Sequence, residues 1–125
     1  MIVVTVVNPW GHADWDETLA STGRSEIDHP TPVGMYPHGA TPTTRLHDLS
    51  GNVWEWTLSR YQAYPYDSRD GRNDPGAEDR LVVRGGSWSY SQRYARCAVR
   101  DRGPADGFGP GGGFRVVLSL ENSKF

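Results

Sequence analysis

Glycine and proline recur so closely along this chain, 15 and 9 times in 125 residues, that no stretch is left for a long amphipathic helix. Each glycine adds backbone entropy that folding must overcome, and each proline removes a hydrogen-bond donor. A sequence punctuated in this way folds as short strands joined by loops, or stays disordered. Its hydrophobic fraction, 36%, is low for a globular chain. Five tryptophans and six tyrosines tip the balance toward folding, because each buries a large area from a single position. The expectation is one compact domain over residues 1–125, loop-rich and anchored by aromatic side chains.

Charge narrows the range of partners. A net charge of −2 gives no basic excess for a phosphate-binding surface, so no nucleic acid is expected as a partner. Lys124 is the only lysine; the remaining cations are arginines, whose forked guanidinium suits carboxylates and carbonyls and pins loops. Cys97 is the only cysteine, which excludes an internal disulfide. No segment approaches the length of a membrane span. Met1 to Val7 is apolar but too short and uncharged for a signal peptide. A cytoplasmic protein is therefore the default expectation, with surface display as the alternative.

Strand patterning is clearest in four places. Ile2 to Val7 is β-branched almost throughout and ends at Asn8-Pro9, and Phe114 to Leu120 has the same character. These two segments are expected to pair, antiparallel, and close the chain on itself. Val53 to Leu58 alternates, with Trp54 and Trp56 on one face and Val53, Glu55 and Thr57 on the other. Leu81 to Arg84 reads as a further strand. Asp14 to Leu19 allows one helical turn, Arg60 to Asp79 reads as a long loop, and Asp101 to Gly113 as a Gly/Pro loop.

Four motifs occur in a fixed order: Gly51-Asn52-Val53-Trp54-Glu55-Trp56-Thr57, Arg84-Gly85-Gly86-Ser87-Trp88, Arg96-Cys97-Ala98-Val99-Arg100 and Gly113-Phe114-Arg115-Val116. Together they resemble the formylglycine-generating-enzyme (sulfatase-modifying factor) family, over roughly residues 8 to 120. Asn8 with Trp10, and Pro32-Val33-Gly34 with Pro37, resemble that family's lead-in to the tryptophan strand. Only the C-terminal half of the usual family domain is matched, and Met1 to Val7 stands where the helical half would be. The resemblance implies an α+β, strand- and loop-rich, C-type-lectin-like fold in a minimal version. Within it, Gly51, Gly85, Gly86 and Gly113 are expected at sharp turns or close approaches. Trp54, Trp56 and Trp88 are expected in the core, and Arg84, Arg96, Arg100 and Arg115 on carbonyls and on Glu55 or Asp48.

The same resemblance implies a calcium site built from the carbonyls of Ser50, Gly51 and Val53 with the Glu55 carboxylate. Hard oxygen ligands on a rigid turn suit that ion, although one carboxylate leaves water to complete the shell. The alternative is an ion pair between Glu55 and a nearby arginine. Catalysis fares worse. Formylglycine formation in this family uses two cysteines, five apart, to bind Cu(I), and soft thiolates select that ion. The ungapped equivalents here are Tyr90 and Ala95, while Cys97 matches a cysteine that is not catalytic, so no copper is expected. A related sulfoxide synthase takes its iron ligands from histidines of another domain, and His12, His29, His38 and His47 show no ligand spacing. Ser87 lacks the strand–elbow–helix setting of a nucleophilic serine. An enzyme is therefore not the favoured expectation.

Recognition is. Around a frame of Ala95, Arg96, Ala98, Arg100 and Gly113, the chain carries Ser89, Tyr90, Ser91, Arg93, Tyr94, Val99, Asp101, Gly103, Asp106 and Phe108. Tyrosine gives wide amphipathic contact at low entropic cost, and serine and glycine allow adjustment. The segment resembles the variable region of lectin-fold proteins diversified by retroelements, in which adenine-directed mutagenesis acts on AAC codons. Every residue just named is reachable from AAC by adenine changes, whereas Gln92 is not. The expected function is a non-catalytic, ligand-binding variable protein of a diversity-generating retroelement, with a protein or cell-surface ligand as partner. The alternatives are a degenerate or half-domain oxidase and an accessory scaffold domain.

Overall fold

The structure, a computed structural model, describes residues 16–74, 80–104, 106–107 and 109–117. Its centre is a four-stranded sheet built from β1 (Trp54–Arg60), β2 (Leu81–Arg84), β3 (Asp101–Gly103) and β4 (Gly112–Gly113). The spatial order is β3-β2-β1-β4. Strands β1 and β2 run antiparallel, with Trp56 opposite Val83 and Glu55 opposite Arg84. Strand β3 adds antiparallel to β2, pairing Val83 with Asp101 and Leu81 with Gly103. Strand β4 lies parallel to β1, pairing Trp54 with Gly112 and Glu55 with Gly113. Among the described residues there is no α-helix; two 3-10 turns, Pro37–Gly39 and Gln92–Ala95, are the helical content. This is a strand- and loop-rich architecture, as the punctuation by glycine and proline requires.

Strands β1 and β2 fall where alternation and β-branching put them. Two other expectations change. Asp101 to Gly103 forms an edge strand instead of opening a loop, because β2 presents an unpaired edge to it and even a charged, glycine-ended tripeptide can take up that ladder. The closing strand expected at Phe114 to Leu120 gives way to a two-residue ladder on Gly112 and Gly113, and residues 114–117 carry no strand. Phe114, Val116 and Val117 are 76%, 82% and 59% exposed, so β-branching there is not matched by burial. Ile2 to Val7, Asn8, Trp10, Asp14, Trp15 and residues 118–120 lie outside the described residues, and with them the expected terminal pairing. Asp16 to Leu19 is a single turn, in which the Asp16 carboxylate accepts from the Thr18 amide at 2.8 Å and hydroxyl at 2.7 Å. Those two bonds hold the Asp16 carboxyl below its ordinary pKa.

The interior is unusually polar. Ala20, Tyr36, Leu49, Trp54, Val82, Val83 and Ala95 are buried, but so are Ser21, Thr22, Thr31, Thr41, Ser50, Asn52, Arg60, Arg72 and Ser87. Of the three tryptophans expected inside, Trp54 is buried while Trp56 and Trp88 are half-buried. Short strands offer few inward positions, and hydrogen bonds must supply what apolar burial does not. They converge on Gly51-Asn52. The Asn52 amide donates to the Ser21 carbonyl at 2.8 Å, and the Asn52 carbonyl accepts from the Trp88 amide at 2.8 Å. The Asn52 side chain accepts from the Thr31 amide (2.9 Å) and donates to the Thr31 carbonyl (3.2 Å). The Gly51 amide donates to the Gly85 carbonyl at 2.7 Å.

Arginines fasten the periphery. Both Glu55 oxygens accept from Arg115 Nε, at 2.8 and 2.7 Å, and Arg115 Nη2 reaches Glu55 Oε1 and the carbonyls of His47 (3.0 Å) and Asp48 (3.2 Å). The Asp48 carboxylate instead accepts from the Gly34 amide at 2.9 Å. Arg84 donates to the Cys97 carbonyl, as expected of a loop-pinning arginine. Arg100 does not follow that expectation: its guanidinium stacks over the rings of Tyr61 and Tyr64, at 4.5 and 4.0 Å. Arg72, buried in the loop after β1, pairs with Asp70 and holds its carboxyl below the usual range.

Gly51 is the residue on which this network can be tested. Its φ is +81°, and a Cβ would run into the Ser21 carbonyl oxygen. Gly51→Ala is expected to destabilise the domain by about 3 kcal/mol or more, since strain and a backbone clash add. Chemical denaturation measures this; a loss below about 1 kcal/mol would show that the turn yields cheaply.

Candidate ligand-recognition site

The segment after Trp88 is held by backbone bonds at both ends. Gly86 (φ +74°) turns the chain, Trp88 is tied to Asn52, and the Tyr90 carbonyl accepts from the Gly23 amide at 2.8 Å. The Tyr90 amide donates to the Ser87 carbonyl at 3.0 Å and the Tyr94 amide to the Ser91 carbonyl at 2.9 Å, leading into the 3-10 turn Gln92–Ala95. Ala95, 1% exposed, packs with Ala20 and Leu19 and anchors the far end. Between these anchors the tyrosine rings meet Trp54. Trp54 and Tyr90 are 5.5 Å apart at 86°, Trp54 and Tyr94 6.1 Å at 70°, and Tyr90 and Tyr94 5.4 Å at 81°. Edge-to-face contacts of this kind are worth about 1 kcal/mol each. Tyr90 and Tyr94 nevertheless stay 43% and 38% exposed, so one side of each ring is braced and the other is wet.

Beside this triad lies a concavity of about 280 Å³. The pairing Trp56–Val83–Asp101 across three strands puts those side chains on one face of the sheet, and Trp54 and Gly103 share it by alternation. That face, with Tyr90 and the glycine-rich turns at Gly107, Gly109 and Gly112, makes the wall. Gly103 is part of the wall in a specific sense: a Cβ there would stand 2.7 Å from Trp56 Cη2. The position is open to glycine and closed to a side chain while Trp56 keeps its place.

Of the ten expected recognition residues, Tyr90, Asp101 and Gly103 line the concavity and Tyr94 adjoins it through Tyr90. Ser89 faces Ser87 at 3.2 Å, Oγ to Oγ, beside Gly111. Ser91 bonds Gln92 at 3.2 Å, Arg93 and Asp106 are exposed, and Val99 is half-buried; none of these four lines the concavity. Phe108 lies outside the described residues. Trp54 and Trp56, expected in the core, also line the concavity, Trp54 while buried and Trp56 while half-buried.

Ser50, Gly51, Val53 and Glu55, the calcium set, are adjacent in the chain, but the set does not fit the ion well. Its one carboxylate is gripped on both oxygens by the Arg115 guanidinium, so a divalent ion there would sit against a cation. Among the described residues no group of three or more His, Cys, Asp or Glu gathers as metal ligands. The positions equivalent to the paired thiols hold Tyr90, in the aromatic triad, and Ala95, buried; Cys97 is half-buried and free. No described helix is long and apolar enough to cross a membrane.

The Sulfatase-modifying factor enzyme 1-like domain matches residues 5–120. Hercynine oxygenase of Mycolicibacterium thermoresistibile is 35% identical over 104 residues, covering 74% of this chain and 22% of that protein. Inactive C-alpha-formylglycine-generating enzyme 2 of Mus musculus is 33% identical over 99 residues, covering 73% of this chain and 28% of its own length. The chain thus spans only about a quarter of the relatives it matches. Among solved structures, Treponema denticola variable protein 1 superposes with a TM-score of 0.60 at 23% identity, over 78% of this chain and 35% of that one. The fold is C-type-lectin-like.

Gly103→Val is expected to push the Trp56 ring into the concavity and to cost about 1–3 kcal/mol by overpacking. Tryptophan emission and denaturant unfolding would register both effects. An unchanged spectrum with full stability would show that the wall is open at 103.

Proposed function

We propose, for a chain that belongs to the sulfatase-modifying factor family, that this domain is a non-catalytic recognition module. It binds a protein or cell-surface ligand through the face formed by the Trp54–Tyr90–Tyr94 triad and the adjoining concavity. The observation that carries this reading is the half-exposed state of Tyr90 and Tyr94: each is fixed by an edge contact to Trp54 and still offers a free side to solvent. Pre-positioned aromatic groups lose little entropy on binding, which is what makes them effective anchors. One cysteine in the whole sequence supports the absence of thiol-based oxidase chemistry. A relative whose name states that it is inactive is compatible with that.

The retroelement-diversified variant of this reading draws on the residue types at 89–106 and on the fold shared with a variable protein. Under it, Ser89, Tyr90, Ser91, Arg93, Tyr94, Val99, Asp101, Asp106 and Phe108 are the exchangeable positions, and Trp54, Trp56 and Gly103 the fixed wall. Calcium has no part in the proposal, and Glu55 serves as a structural carboxylate for Arg115.

Phage-displayed peptides selected on the immobilised domain provide the test. Selected peptides are expected to compete with one another and to lose affinity at least about tenfold on Tyr94→Ala, a hot-spot loss. The same variant is expected to lose only about 1–2 kcal/mol of stability, two edge contacts' worth. Peptides indifferent to Tyr90→Ala and Tyr94→Ala, or variants that unfold, would overturn the reading. Separately, millimolar calcium against chelator is expected to leave the melting temperature unchanged. A rise in melting temperature that vanishes in Glu55→Gln would reinstate the site at Ser50, Gly51, Val53 and Glu55.

A further inference from the structure

The two faces of the sheet are charged differently, and the difference indicates what the concavity accepts. Asp101 faces the concavity, in register with Val83 and Trp56. Asp101 is exposed, its Oδ1 accepts from the Arg102 amide at 2.8 Å, and among the described residues it makes no ion pair and its Oδ2 takes no hydrogen bond. Arg102 contributes atoms to the wall, but alternation along β3 sends its side chain to the other face. There its guanidinium lies 5.0 Å from the centre of the Tyr61 ring, beside Arg100 on Tyr61 and Tyr64. Both cations nearest to Asp101 in sequence are thus stacked away from it. Besides Val83, Pro104 and glycines, the described lining offers the aromatic surface of Trp54, Trp56 and Tyr90 and one carboxylate, Asp101, without an ion-pair partner among the described residues.

Aromatic faces and a carboxylate attract the same kind of ligand. The ring quadrupole is negative on its face and draws cations, and a carboxylate accepts the forked N–H donors of a guanidinium. An anion would meet Asp101, while the guanidinium of Arg102, the one cationic residue in the described lining, is drawn to Tyr61. Size also selects: about 280 Å³ lies at or below the roughly 300–1,000 Å³ of sites that enclose a whole small ligand, so it admits one long side chain.

We infer that the concavity is a cation pocket for an arginine side chain presented by a partner polypeptide. The guanidinium lies against Trp56 and Tyr90 and donates to Asp101. This deepens the recognition reading and rests on it. It also gives the tyrosine triad a complementary task, gripping the partner's backbone and neighbouring side chains while the pocket takes the anchor.

The experiment titrates the purified domain with acetyl-Gly-Arg-Gly-amide, with its neutral citrulline isostere and with the glutamate peptide, followed by tryptophan emission and indole N–H shifts. The expected result is saturable binding of the arginine peptide, at least about tenfold tighter than citrulline, since charge-assisted bonds are about twice as strong as neutral ones. Asp101→Asn, which keeps the acceptor for the Arg102 amide, should abolish that preference with its melting temperature unchanged. Asp101→Glu should restore it in part, and Asp67→Asn, on the distant loop, should have no effect. Equal binding of arginine and citrulline peptides, or retention of the preference in Asp101→Asn, overturns the inference. If the citrulline or glutamate peptide binds at least as tightly as the arginine peptide and is lost in Tyr94→Ala, the cation pocket falls while the recognition surface stands. If no peptide of any charge saturates the domain, both fall together.

Discussion

The fold depends on one asparagine in a tight turn. Asn52 is 6% exposed and bonds Ser21, Thr31 and Trp88 through its main chain and side chain, while its neighbour Gly51 bonds Gly85. Four segments far apart in sequence are thereby held at one point. In a chain with long helices, such segments would be gathered by apolar stripes, and a polar hub would be optional. Here the strands are too short for that. Each bond is individually modest, about 1 kcal/mol, but leaving any of these buried groups without a partner costs more than the bond is worth. The network is therefore close to all-or-none, and it explains how a domain with so few buried aliphatic side chains holds its loops.

The face carrying Trp54, Tyr90 and Tyr94 is a direct extension of that hub. Trp88 hangs from the Asn52 carbonyl, the chain returns to Gly23 through the Tyr90 carbonyl, and Ala95 seals the end against Ala20. Backbone bonds fix the course of residues 88–95 with help from the side chains of Trp88 and Ala95, so Tyr90 and Tyr94 need only brace one side of each ring against Trp54. Trp54 belongs to both worlds. It is buried, and its ring edges orient two tyrosines that are not. Rigid backbone with unconstrained side chains is the physical requirement for a surface that presents different groups on one scaffold.

On the opposite side of the sheet, guanidinium stacking replaces packing. Arg100 and Arg102 cover Tyr61 and Tyr64, and Arg72 threads the loop behind Asp70 to reach the carbonyls of Ala63 and Pro65. Long loops with few aliphatic side chains are held to the sheet by these contacts. The same stacking draws the guanidinium of Arg102 away from Asp101, the one carboxylate in the described lining of the concavity.

The sequence by itself determined the strands β1 and β2, the sharp turns at Gly51, Gly85 and Gly86, the lack of long helices among the described residues, the lack of a thiol pair, and a family membership written in four ordered motifs. These are local matters: periodicity, φ preference and residue chemistry act over a few positions. Glu55 was visible as a site of interest, but the arginine that grips its carboxylate comes from sixty positions away. Strand β3, the glycine ladder of β4 and the solvent-facing sides of Trp56 and Trp88 were not legible, because propensity is silent on which edge a short segment will find. The fate of Tyr90 and Tyr94, half braced and half wet, was decided only when Trp54 arrived beside them from another strand. Tertiary structure settled the side-chain surroundings, since long-range contacts between loops follow from how the strands stack and not from any run of neighbouring residues.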